Sequence, residues 1–242
     1  VTSLPDPEPL QSTLLHGKLE LKGQFMLGSN YTFLVEARHD GQTLQAVYKP
    51  QRGERPLWDF PEESLAGREV AAYHVSRALG WGLVPLTVLR DGPLGPGSLQ
   101  QYIEYDPDYH YFNFSETDRQ RLRPTALFDL LVNNADRKGS HVLVDESGRI
   151  WLIDHGVCFH EEDKLRTVIW DFAGEAIPPD LLIPLAALPP ALTGTSGLRA
   201  DLGRYLSPGE IAALQKRAKA LLAKPVYPHP PRDRRAYPYP PV

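Results

Sequence analysis

Apolar and polar positions alternate from Gly17 to Phe25 (Leu19, Leu21, Gly23, Phe25), which predicts a strand with one face toward a core. The alternation breaks at Leu27-Gly28-Ser29-Asn30-Tyr31-Thr32 and resumes as a second strand over Phe33–Ala37. Asp40-Gly41 supplies a tight turn into a third strand, Leu44–Pro50. Beyond a Pro- and charge-rich loop (50–62) the period becomes helical, from Ser64 to about Leu79, and Gly80 stops it. The apolar face of this helix reads Leu65, Ala72, Tyr73, Ser76 and Leu79, and Glu69 falls on the same face. A carboxylate aimed at a core needs a cation beside it, because burying it alone is very costly. Arg68 and Arg77 at the helix rim are the local alternatives.

Leu83–Leu89 and Ser98–Tyr105 read as further strands joined by a turn at Asp91–Gly97. The aromatics that follow (Tyr105, Tyr109, Tyr111, Phe112, Phe114) suit packing between layers better than a substrate platform. Ser115 with Asp118 can cap a helix, and Pro124 opens another over Thr125–Val132, with Ala126, Leu127, Leu130 and Leu131 inward. Residues 157–178, downstream of Gly156, are expected to form an irregular segment. Short helices follow at Pro179–Leu188 and Leu198–Tyr205. Ser207-Pro208-Gly209-Glu210 combines a capping Ser, Pro in the first turn and Glu three residues on, opening a helix to about Ala223. Its Lys216, Arg217 and Lys219, with Lys224, make a solvated outer face, a membrane contact being the weaker reading.

Composition narrows the function classes. A net charge of -4 argues against general nucleic-acid binding, which needs a concentrated basic face. One cysteine, Cys158, excludes an internal disulfide and suits a cytoplasmic protein. Residues 1–15 show no basic start followed by an apolar run, and no stretch reaches the roughly 20 apolar residues of a membrane span. Of the 24 prolines, seven lie in residues 225–242, which predicts an extended or disordered tail and a peptide ligand for a protein partner. Residues 1–16 read as a mobile arm with one apolar patch, Leu10–Leu15.

The chemistry concentrates between Asn133 and Gly156. Asp136 and Asp154 stand at the two edges of an apolar strand–turn–strand, Val142 to Ile153, and a hairpin brings its ends together. Like charges held close in a half-buried site call for a cation or a proton between them. That is the signature of a divalent-metal phosphoryl-transfer site.

Asp136, a polar residue five positions later, a strand pair and then Asp154-His155-Gly156 together resemble the catalytic and metal-binding loops of the protein-kinase-like fold. The Asp136-Arg137 order is similar to the phosphatidylinositol 3- and 4-kinase branch and a mostly actinobacterial family related to it. The resemblance spans roughly residues 24–175. It implies an α+β, compact, two-lobed fold: an antiparallel-sheet N-lobe with one helix (17–105), a mainly helical C-lobe (106–224) and the tail (225–242).

The resemblance also implies roles. Ser29, Asn30 and Thr32 would line a phosphate loop, although taken alone a plain hairpin turn is the stronger reading. Lys49 would grip the α/β phosphates of ATP with Glu69 as its partner, instead of snorkelling at a strand edge. Gln101, Tyr102, Ile103 and Glu104 would form the hinge beside adenine. Asp136 would take the acceptor's proton, Arg137 would support it or a phosphate or else form a structural ion pair, and Asp154 and His141 would hold Mg²⁺ or Mn²⁺. His141 stands where most such proteins carry Asn, and imidazole suits Mn²⁺ better than Mg²⁺. Asn133 and Asn134 are alternative oxygen donors, and a backbone hydrogen bond is the plain reading of His141.

Five acids in residues 157–175 (Glu161, Glu162, Asp163, Asp171, Glu175) disfavour an inositol-lipid acceptor and favour a protein hydroxyl or a small molecule. Two alternatives stand beside the kinase: a nucleotide-binding pseudokinase scaffold, and a kinase-fold nucleotidyl transferase.

Overall fold

The computed structural model describes residues 7–25 and 31–242. Strands β1 (Lys18–Phe25), β2 (Thr32–His39), β3 (Gln42–Pro50), β4 (Thr87–Gly92) and β5 (Gly95–Gln101) form one antiparallel sheet in the order β1-β2-β3-β5-β4. Asp40 and Gly41 take φ of 46° and 77°, so the β2–β3 hairpin turns where the Asp-Gly pair permits it. One sheet face carries the buried residues Val35, Ala37, Ala46, Tyr48 and Leu99. The other presents Leu34, Val47 and Lys49, which are only half-buried. Alternation along each strand therefore puts Lys49 on the open face, beside Asp154.

Helix α1 (Pro7–His16) lies against this sheet, with Leu14 fully buried and the Leu14 and Gly17 carbonyls accepting from Arg90 at 2.9 and 2.8 Å. The described part of the expected mobile arm, Pro7–His16, is thus a docked helix. The apolar patch Leu10–Leu15 gains more by burial than the arm loses in chain freedom.

Helix α2 (Leu65–Ala78) is buried almost all round, because it lies between the sheet and the second lobe. Its first amides, Leu65 and Ala66, donate to the Glu54 carboxylate at 3.1 and 2.8 Å. Glu54 therefore caps the helix from the loop before it.

The second lobe comprises α3 (Glu116–Gln120), α4 (Arg123–Val132), the hairpin β6 (Val142–Val144) and β7 (Ile150–Leu152), α5 (Pro179–Ala191), α6 (Leu198–Leu202) and α7 (Pro208–Ala223). No helix or strand interrupts residues 157–178, the segment expected to be irregular. A continuous core runs from the sheet through α4, the irregular segment, α5 and α7. No helix among the described residues is long and apolar enough to cross a membrane.

The Pro-rich tail contradicts the expectation of disorder. It is extended but docked, with Tyr227 and Ala236 buried. Tyr227 O accepts from Gly174, Ala236 O from Thr167 and Pro241 O from Gly139, at 2.9, 3.1 and 2.8 Å. Proline restricts the unfolded chain, so an extended Pro-rich segment loses little entropy when it packs.

Candidate active site

Asn133 ends α4 in the left-handed region (φ 54°), which turns the chain sharply into the loop that carries Asp136. Its side-chain amide donates to the His160 and Glu162 carbonyls, while its oxygen accepts from Lys164 N. Asn134 accepts from Asp136 N at 2.9 Å and donates to Asp129 at 3.3 Å. Both side chains are buried and engaged, so neither is a spare oxygen for a metal.

Pairing of Val142 with Leu152 closes the hairpin, and Ile153 N donates to His141 O at 3.1 Å, one step beyond it. This sets His141 against Asp154, Nε2 to Oδ2 at 3.2 Å. Ala135 N donates to Val157 O at 3.1 Å, which draws Asp136 to the same end. Asp154 holds φ of 61°, a strained value for a non-glycine residue, and its side chain is about half exposed toward the cleft.

Lys49 Nζ lies 2.5 Å from Glu69 Oε1 and 3.0 Å from Asp154 Oδ1. Glu69 uses its second oxygen to accept from His155 N at 2.8 Å. The buried Glu69 thus has the cation that its position demanded, and the partner is Lys49, not Arg68 or Arg77. Burial disfavours the Lys49 charge, but Asp154 and Glu69 outweigh it and raise its pKa above the ordinary lysine range. Burial likewise opposes the Asp154 charge, yet Lys49 holds that carboxyl far below the usual carboxylate range.

Burial pushes the Asp136 carboxyl up to about 6, with Lys138 opposing and the Asp154 charge adding to the shift. The two acids therefore feel one another and divide into one that stays ionised and one poised near neutrality. Burial lowers His141 to about 4 against the pull of Asp154, so its imidazole is neutral.

Arg137 does not reach Asp136. It is fully buried and faces the opposite way, its Nε donating to both Asp129 oxygens at 3.0 and 3.1 Å. Its remaining donors meet His141 O, Ile153 O and His155 Nε2 at 3.2, 2.8 and 2.8 Å. The guanidinium braces the backbone on both sides of the site, a correction to the catalytic part expected of it. Guanidinium can only donate, so His155 Nε2 accepts and the ring proton sits on Nδ1. That Nδ1 finds no hydrogen-bond partner among the described residues and faces Glu69 Oε2 at 3.9 Å.

The expected phosphate loop is only partly on view: Ser29 and Asn30 lie outside the described residues. Thr32 pairs with Phe25 in the β1–β2 ladder. At the expected hinge, Gln101 N donates to Leu86 O and Tyr102 N to Gln45 O, so both belong to the sheet. Ile103 and Glu104 lie past its end and have no backbone hydrogen bond among the described residues.

Lys138 was missed by the sequence reading although it stands two residues from Asp136. Its Nζ lies 3.6 Å from Asp136 Oδ2 in the cleft. Asp129, the buried acid beneath Arg137, was also missed, since one Asp inside a helix looks like any solvated acid.

No group of three or more His, Cys, Asp or Glu side chains gathers at metal-ligand spacing among the described residues. Asp154 and His141 are the adjoining pair, and a cation that also takes substrate phosphates and water needs no more than one or two protein donors.

No protein-family model matches the sequence. Among solved structures, the fold is similar to a hydra Fam20 structure determined with sugar (TM-score 0.58, 15% identity, 92% of this chain and 89% of that one). It is also similar to the Helicobacter pylori proinflammatory kinase CtkA (TM-score 0.54, 12% identity, 88% and 94%). The protein thus has a compact kinase-like fold. Protein Rv2133c of Mycobacterium tuberculosis (strain ATCC 25618 / H37Rv) is 40% identical over 264 aligned residues, covering 95% of this chain and 94% of the relative. Identity sustained over nearly the whole of both chains makes this protein a member of the Rv2133c family.

Proposed function

We propose that the protein is an ATP-dependent phosphotransferase that moves the γ-phosphoryl group to a hydroxyl, with Asp136 as the base. The observation that carries this reading is Lys49 held between Glu69 and Asp154 at 2.5 and 3.0 Å. A scaffold has no use for a half-buried cation–carboxylate set at the mouth of a cleft, whereas phosphoryl transfer needs positioned positive charge.

Lys49 would bind the α/β phosphates, and Ile103 and Glu104 would offer main-chain groups to adenine. Asp154, with neutral His141 beside it, would hold Mg²⁺ or Mn²⁺, which when bound neutralises charge on the β and γ phosphates. Asp136 would accept the acceptor's proton, its pKa of about 6 suiting a base at neutral pH. Lys138 would contact the transferring phosphoryl. These residues agree with the phosphatidylinositol 3-/4-kinase-like pattern, and a cytoplasmic site of action suits the single buried thiol.

The acceptor is a hydroxyl on a protein or small molecule in preference to an inositol lipid. Lys164 is already paired with Asp59 and Glu162, which leaves no cationic cluster on this segment for a polyanionic head group. The acidity counted from sequence is smaller in effect, since Arg119, Arg123 and Arg234 partner Asp171, Glu175 and Asp163.

Thermal unfolding with ATP and Mg²⁺ or Mn²⁺ tests the reading. Ligand at a hundred times its dissociation constant adds about 2.7 kcal/mol. A metal-dependent shift, with labelled phosphate transfer abolished in Asp136→Asn, is expected. Absence of any shift would overturn it in favour of a scaffold, and AMP-modified acceptors would indicate nucleotidyl transfer.

A further inference from the structure

Resting on that functional reading, we infer that Arg68 and Glu210 form a positioning pair that locks α2, and through it the Glu69–Lys49 contact, in the nucleotide-ready arrangement without any covalent modification. Successive residues on a helix point about 100° apart, so Arg68 and Glu69 serve different neighbours. Glu69 faces the cleft. Arg68 turns away from it and is buried.

All three guanidinium arms are occupied. Nη2 donates to Glu210 Oε1 at 2.5 Å, Nη1 to Cys158 O at 2.7 Å, and Nε to Ser64 Oγ at 3.3 Å. The Phe60 ring covers it at 4.8 Å. Glu210 belongs to α7 in the other lobe, and Cys158 lies two residues past the Asp154-His155-Gly156 turn. One side chain therefore ties α2 to the distant lobe and to the segment that carries Asp154.

Glu210 is fixed in turn. Its Oε2 accepts from Ser207 N at 2.8 Å, and its own N donates to Ser207 Oγ at 3.1 Å. Moving α2 outward would strand two buried charges. The charges belong to the chain itself, so the active placement needs no added phosphate group.

Glu210→Gln tests the pair, because Gln keeps the capping box while it removes the charge. Amide hydrogen exchange and ATP titration are run well below the unfolding temperature. The expected result is about tenfold faster exchange in 65–78 with α4 and α7 unchanged. The apparent ATP dissociation constant should rise by about tenfold as the competent fraction falls. At saturating ATP, kcat recovers while KM stays high, and Arg68→Lys is milder than Arg68→Met. Arg77→Met, on the exposed side of α2, behaves as wild type. Unchanged α2 exchange in Glu210→Gln, or an equal rise in α4 and α7, overturns the inference. Failure of the wild type to bind ATP would instead overturn the functional reading, since the exchange measurement needs no nucleotide.

Discussion

Lys49 Nζ stands 3.0 Å from Asp154 Oδ1 although 105 residues separate them. The contact joins the end of β3 to the end of β7, so the sheet of one lobe and the hairpin of the other meet at a pair of opposite charges. Asp136 sits beside this pair and not in it. A carboxylate kept ionised by Lys49 and a second one raised toward neutrality are the division of labour that phosphoryl transfer needs.

Asp136→Asn should abolish transfer and raise stability together. The folded pKa of about 6 lies above the ordinary 3.8, so between those values the folded state binds more protons than the unfolded chain. Stability is lost as pH rises through that window, and at neutral pH the carboxylate is a net cost. The side chain is 36% exposed, so screening reduces the gain to of order 1 kcal/mol, or roughly 2–4 °C in Tm. In the wild type, kcat/KM should climb with pH to a plateau above about 6. A flat profile from pH 5 to 8 would remove Asp136 as the base.

Arg137→Met should unfold the protein more readily by about 3–5 kcal/mol, because it strands Asp129 as a buried, unpartnered acid. Burial already pushes Asp129 upward, and Arg137 is the strongest force holding it down. Urea denaturation measures this. A variant of normal stability but no activity would return Arg137 to the phosphates.

His141→Asn replaces a neutral imidazole by an oxygen donor beside Asp154. Nucleotide-dependent stabilisation should then shift from Mn²⁺ toward Mg²⁺, read as the ratio of the two metals' Tm shifts. An unchanged ratio would leave His141 as a backbone brace only.

Deletion of residues 225–242 should cost about 3 kcal/mol or more, from the burial of Tyr227 and the hydrogen bonds to Gly139, Thr167 and Gly174. Calorimetry decides the matter: a tail that served only as a free peptide ligand would leave Tm unchanged.

Much of the site was legible because short-range rules governed it. The Asp136–Asp154 spacing, the hairpin between them and the out-of-place Glu69 each announce themselves within about 20 residues of chain. The capping box at Ser207 is present as read, with Ser207 and Glu210 bonding reciprocally. The misplaced parts depend on distant neighbours. Arg137 looked catalytic because it adjoins Asp136, yet Asp129, eight residues before it, captures the side chain. The N-terminal helix and the tail looked unanchored, because nothing in a local window shows the sheet and the irregular segment that cover them.

The amino-acid sequence by itself determined most of the elements, the two acids at the hairpin's edges and the lysine at the strand's end, since hydrophobic period and turn chemistry act over a few residues. Tertiary structure alone decided the other charge pairings: Lys49 with Asp154, Arg137 with Asp129, Arg68 with Glu210. Burial makes an unmatched charge prohibitive. The folded chain therefore selects pairs by proximity in space, which spacing along the sequence does not encode.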